Sequence, residues 1–124
     1  MKYLLTGKQM KIADNTTIQH VGIPSMVLME RAALGVVNLI RERLKKQSKI
    51  LVVCGSGNNG GDGYAIARLL HVKGHKVSLF FVGKDSSRSE ENLLQKKTCD
   101  YYNFNIYLLR KCFFYIIFSS CIWY

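Results

Sequence analysis

The chain has 124 residues, 48% of them hydrophobic and 21% charged, with a formal net charge of +10. That length supports one domain with little left for a second, and the apolar share excludes an intrinsically disordered class. Eighteen Lys and Arg against eight Asp and Glu favour anionic ligands, yet no nucleic-acid module is recognisable and no nucleic-acid partner is expected.

Thr6-x-x-Gln9 is a capping-box match that predicts a first helix, with Met10, Ala13, Thr17 and Val21 spaced for one buried face and an end near Gly22. The run Met1 to Thr6 is far too short for a signal-peptide core, so export is not indicated. Pro24 suits the first turn of a second helix reaching about Lys46, with Met26, Met29, Ala33, Val36, Val37, Ile40 and Leu44 as its stripe. Glu30 and Arg31 flank that stripe, either framing a ligand site or forming an ion pair at the core edge. The densest basic group, Arg41 to Lys49, falls at this helix end, where cations complement the dipole. His20 reads as a surface or structural histidine.

Lys49 to Cys54 is a continuous apolar strand without alternation, which predicts cover on both faces and hence a parallel sheet. The nine residues Gly55 to Gly63 follow, and five are glycine. Glycine is useful where a positive φ or a close backbone approach is needed, so a ligand-shaped turn is expected. Its first six residues read G-x-G-x-x-G, the pattern of a dinucleotide turn in which backbone N–H groups hold a pyrophosphate, a weak signal by itself. Asp62 sets a negative charge where phosphate would rest. It is either the N-cap of the next helix or a partner of a cation, for which Asn58, Asn59 and Asp62 offer hard oxygen ligands.

Tyr64 to Lys73 reads as a helix stopped by Gly74, and Val77 to Val82 as a second strand. Together they make a β-loop-α-β unit, with ligand expected beyond the carboxyl ends of the strands. Asp85 lies about where a ribose-binding acid would, but Ser87-x-x-Glu90 is a capping box, and a loop-and-cap role is favoured. The next helix is expected to reach Tyr102 with Leu94, Thr98 and Tyr101 on one side, and Phe104 to Leu109 to form a third strand. The fold class expected is therefore α/β, Rossmann-like, three-layer α/β/α with an incomplete parallel sheet of about three strands, preceded by two helices.

From Tyr107 the chain carries no acid, glycine or turn signal. Cys112 to Tyr124 is too short for a bilayer-spanning helix, which needs about twenty residues. An uncharged aromatic and β-branched run is an aggregation hazard. The reading is that residues 106–124 are an atypical apolar tail from a truncated or shifted frame, the rival being a membrane-surface anchor. Cys54, Cys99, Cys112 and Cys121 show no metal-ligand spacing and read as reduced thiols of a cytoplasmic protein.

Gly57-Asn58-Asn59-Gly60-Gly61-Asp62-Gly63, preceded by Leu51 to Gly55 and followed by Tyr64 to Leu70, closely resembles the NAD(P)H-hydrate epimerase family, the YjeF N-terminal domain. Leu28-Met29-Glu30-Arg31-Ala32-Ala33 and Thr6 to Met10 with Asp14 are similar to that family's opening elements, and the resemblance covers residues 1–105. It implies an isomerase that interconverts the R and S epimers of NADHX and NADPHX. It further implies that Asn58, Asn59, Gly60, Gly61 and Asp62 contact the hydrated dinucleotide and that Asn59 ligates a potassium ion. The family's later aspartate-bearing catalytic segment has no match here, so no catalytic residue is assigned and the chain alone is expected to be inactive. A homodimer or an attached dehydratase domain is compatible with the resemblance. Two other readings stand beside it: a non-catalytic nucleotide- or anion-binding module, and a fragment of an NAD-dependent oxidoreductase.

Overall fold

The computed structural model describes residues 4–103 and 105–109. Helix α1 (Gly7–Thr16) starts as its capping box requires: Thr6 Oγ1 accepts from the Gln9 N–H, and Gln9 Oε1 accepts from the Thr6 N–H at 2.8 Å. A π-helical turn, Thr17–Val21, carries it to Gly22, whose φ of 81° ends it. The stripe expected to be buried is not, because α1 and its extension have no buried residue. Amphipathic spacing identifies a face that can be covered; among the described residues only Thr17 of that stripe is even half-buried.

Helix α2 (Ser25–Ile40) begins after Pro24 and buries Met29, Ala33 and Val37. It stops short of Lys46, passing into a single 3₁₀ turn, Arg41–Arg43, after which Leu44 is extended. Three strands follow, β1 (Lys49–Cys54), β2 (Lys76–Val82) and β3 (Ile106–Leu109), parallel and in the order β1-β2-β3. Helices α3 (Asn58–Val72) and α4 (Glu90–Tyr101) make the two crossovers. Both crossovers step the same way across the sheet, so a common hand puts both helices on one face.

The register makes that face explicit. Val52, Leu79 and Ile106 are partners in one row, and Cys54, Tyr64, Ala67, Leu79 and Cys99 cluster between sheet and helices. The next row, Val53, Phe80 and Tyr107, points the other way, with the Phe80 and Tyr107 rings stacked 4.9 Å apart. Leu51 and Val53 are 47% and 51% exposed. Cover on both faces of β1 was expected from its unbroken apolar run; among the described residues only one face is covered. The fold is thus Rossmann-like α/β with a three-strand parallel sheet.

Gly74, at φ 88°, closes α3 as expected: its N–H donates to the His71 carbonyl and the His75 N–H to the Leu70 carbonyl, the paired bonds of a left-handed helix end. β3 starts at Ile106, so the first four residues of the stretch 106–124 form a strand of the sheet; Phe104 and residues 110–124, and with them the rest of the apolar tail, lie outside the described residues. No helix among the described residues is long and apolar enough to cross a membrane.

The two sheet faces differ in a measurable way. Leu79→Ala, which empties a fully buried position, should cost about 2–5 kcal/mol, whereas Leu51→Ala on the open face should cost less than about 1 kcal/mol by urea denaturation.

Candidate functional site

Beyond Cys54 the chain turns through Gly55, Ser56 and Gly57 and enters α3 at Asn58, well before the expected start at Tyr64. Most of the glycine-rich stretch is therefore helix, and the N-cap is Gly57 rather than Asp62. None of its five glycines has a positive φ; the glycines that do are Gly22, Gly74 and Gly83.

Close approach is what this stretch needs glycine for. A Cβ on Gly60 would stand 1.9 Å from the Gly55 carbonyl oxygen and 2.7 Å from Asn92 Nδ2. One on Gly63 would meet Cys54 Sγ at 2.7 Å, and one on Gly61 the end of Met29 at 2.9 Å. Gly60 and Gly63 thus let α3 start against the end of β1, and Gly61 lets Met29 of α2 pack onto it. Asn58 and Asn59 are exposed on the first turn, and Asp62 is half-buried on the second.

No side chain caps α3. The first N–H groups of a helix have no intrahelical partner, so those of Asn58 and Asn59 are available to a ligand, and the dipole favours an anion there. The carbonyls of the turn are all engaged. Gly55 O and Gly57 O accept from Asn92 Nδ2 at 3.0 and 2.9 Å, and Ser56 O accepts from the Ser89 N–H at 2.9 Å.

Those partners lie at the start of α4. Ser89, not Ser87, caps that helix by accepting from the Asn92 N–H, and Ser87 Oγ instead donates to Lys84 O. Burial on α4 reverses the expectation: Asn92, Gln95 and Cys99 are inside, while Leu94 and Tyr101 are exposed. Asp85 holds Arg88 at 2.7 Å, consistent with its loop role. The Arg88 side chain is 1% exposed, lies over the Phe81 ring and donates to Tyr64 Oη and Asn92 Oδ1. Burial works against its charge, but the hydrogen bonds to Asp85 and Tyr64 outweigh that and hold its proton more tightly than usual. Neither Arg88 nor Asn92 was found by sequence reasoning; the only available signal was a polar residue on the inner stripe of α4.

Glu30 pairs with Arg68 on α3, not with Arg31, which makes it a tie between α2 and α3. Burial pushes the Cys54 and Cys99 thiols up to about 12, so both stay protonated, and Cys99 Sγ donates to the Tyr64 carbonyl. Burial, and then the charge of Asp14 on α1, raise the Asp62 carboxyl above its ordinary range. Among the described residues no group of three or more His, Cys, Asp or Glu could hold a metal ion.

An open parallel sheet with a glycine turn and an uncapped helix start beyond its first strand defines a Rossmann-like α/β domain. The chain belongs to the family described as YjeF-related protein N-terminus, whose model matches residues 25–112. It is 50% identical over 98 residues to an NAD(P)H-hydrate epimerase of Limosilactobacillus fermentum, covering 79% of this chain and 47% of that one. With the NAD(P)H-hydrate epimerase of Lentilactobacillus buchneri it shares 42% identity over 103 residues, 82% of this chain and 48% of the other. The crystal structure of yeast ynu0 matches with a TM-score of 0.69 at 24% identity over 86% of this chain and 47% of that chain, which supports the fold. The chain spans about half the length of the curated relatives it matches.

Gly60→Ala should abolish cooperative unfolding or lower stability by more than about 3 kcal/mol. Gly57→Ala, with nothing within 4 Å of the added carbon, should change stability by less than about 1 kcal/mol in the same urea titration. Asp62 yields a prediction with a sign. Its folded-state proton affinity exceeds that of the unfolded chain, so it withdraws stability as pH rises above the ordinary carboxylate range near about 4. Asp62→Asn should therefore melt higher than the parent at pH 7, with the difference vanishing in acid.

Proposed function

We propose that this chain provides the phosphate-holding part of an NAD(P)H-hydrate epimerase site, acting in the interconversion of the R and S epimers of NADHX and NADPHX. The observation that carries the reading is the end of β1, where three carbonyls are drawn away and an uncapped helix start is left open to an anion. The name that the curated relatives share supports the substrate.

On this reading the N–H groups of Asn58 and Asn59 bind the pyrophosphate, Gly60 lets α3 start close enough to do so, and Gly61 lies against the dinucleotide next to it. Asn59 Oδ1 and the Asp62 carboxylate hold a potassium ion, which supplies positive charge between Asp62 and the phosphate. Asp62 is half-buried next to the helix start, and a cation there would offset the cost that burial and the charge of Asp14 place on its ionised carboxylate. No described residue is assigned the proton transfer at the nicotinamide carbon.

Calorimetry with NADPHX tests the reading. Affinity should be higher in potassium than in choline chloride, and Asn59→Ala should weaken potassium-supported binding about tenfold, or about 1.4 kcal/mol. Binding indifferent to potassium would instead favour a plain nucleotide-binding module, and a potassium effect unchanged in Asn59→Ala would remove that residue from the ion site.

A further inference from the structure

Asn92 is fully buried, and each of its polar atoms has an assigned partner. Its Oδ1 accepts from Arg88 Nη1 at 2.6 Å, which fixes which end of the amide faces the turn. Nδ2 then donates its two protons to Gly55 O and Gly57 O, and between them the Ser89 N–H takes Ser56 O. Three successive carbonyls thus face the start of α4, the Gly57 oxygen being shared with the Gly60 and Gly61 N–H groups of α3, which donate to it at 3.0 and 3.2 Å.

A trans peptide is planar, with the carbonyl of one residue and the N–H of the next directed oppositely. There is no cis peptide bond in the described chain. Carbonyls of Gly55, Ser56 and Gly57 held toward α4 therefore turn the N–H groups of Ser56, Gly57 and Asn58 away from it. Successive N–H groups presented to one side make an anion-binding concavity. Arg88 sits behind the turn, its charge engaged by Asp85 and its face against Phe81, so it acts through Asn92.

We propose that Asn92, oriented by Arg88, is the positioning residue that sets the polarity of the glycine turn, carbonyls inward and N–H groups outward, and so gives the turn its affinity for the pyrophosphate of a dinucleotide. The ligand rests on the function proposed above; the geometry does not.

Asn92→Asp keeps the side-chain shape and the contact to Arg88 but replaces two donors with an oxygen that repels the carbonyls. Two measurements test the proposal. In the ligand-free parent chain, the Asn92 side-chain amide protons should be protected from solvent exchange by NMR; rapid exchange would overturn the positioning role whatever the ligand. In calorimetry, Asn92→Asp should weaken NADPHX binding at least about tenfold with circular dichroism unchanged, and Arg88→Lys, which retains charge but loses the fork that aligns the amide, should fall between it and the parent. If Asn92→Asp does not fold, the Arg88→Lys comparison decides: parental affinity in that variant overturns the proposal. Parental affinity in folded Asn92→Asp likewise overturns it while leaving the proposed function intact. A parent chain that binds no NADPHX, with Asn92 protected, refutes the dinucleotide reading and the pyrophosphate role with it, and leaves only the polarity of the turn supported.

Discussion

The approach of α3 to the end of β1 is the constraint on which the rest of the structure depends. Gly60 stands so near the Gly55 carbonyl that no side chain can come between them. That contact lets the helix begin at Asn58, directly on the strand end, with its first N–H groups exposed at the carboxyl edge of the sheet. A helix starting at Tyr64 would leave a loose glycine loop in between. Loose loops cost conformational entropy when they close on a ligand, whereas a turn already built into a helix has lost that entropy on folding.

Polar burial on α4 follows from this geometry. Starting a helix hard against a strand leaves carbonyls at the bend without ladder partners, and a buried carbonyl left unmade costs about 1–3 kcal/mol. Asn92 and Ser89 supply partners for Gly55 O and Ser56 O, Asn92 adds a bond to Gly57 O beside those from α3, and Arg88 fixes the amide. An inward Asn is then as necessary as an inward Leu would be elsewhere. Asp62 is the opposite case, a half-buried acid whose carboxyl is raised first by desolvation and then by the charge of Asp14.

Much of this was legible in the residues. Thr6 and Gln9 announce α1, Gly74 stops α3, and the two apolar runs around the glycine stretch mark a parallel β-α-β unit. The N-N-G-G-D-G run identified the family that the comparisons bear out. Other features were not legible, for physical reasons. Glycine counts do not distinguish positive φ from close approach, so the start of α3 was placed too late. Periodicity finds apolar faces and is blind to buried amides, so Asn92 and Arg88 were missed and Leu94 and Tyr101 were put inside. An apolar strand shows what it can bury, not how much cover is present, and the Val53, Phe80 and Tyr107 row is open among the described residues.

The central claim is that the turn after β1 meets its ligand with main-chain N–H groups. A proton–nitrogen NMR titration of the chain with NADPHX in potassium buffer measures this directly. The account predicts that the amide signals of Ser56, Gly57, Asn58 and Asn59 move most as ligand is added. Saturation with those four unmoved, and the largest changes elsewhere on the domain, would contradict it.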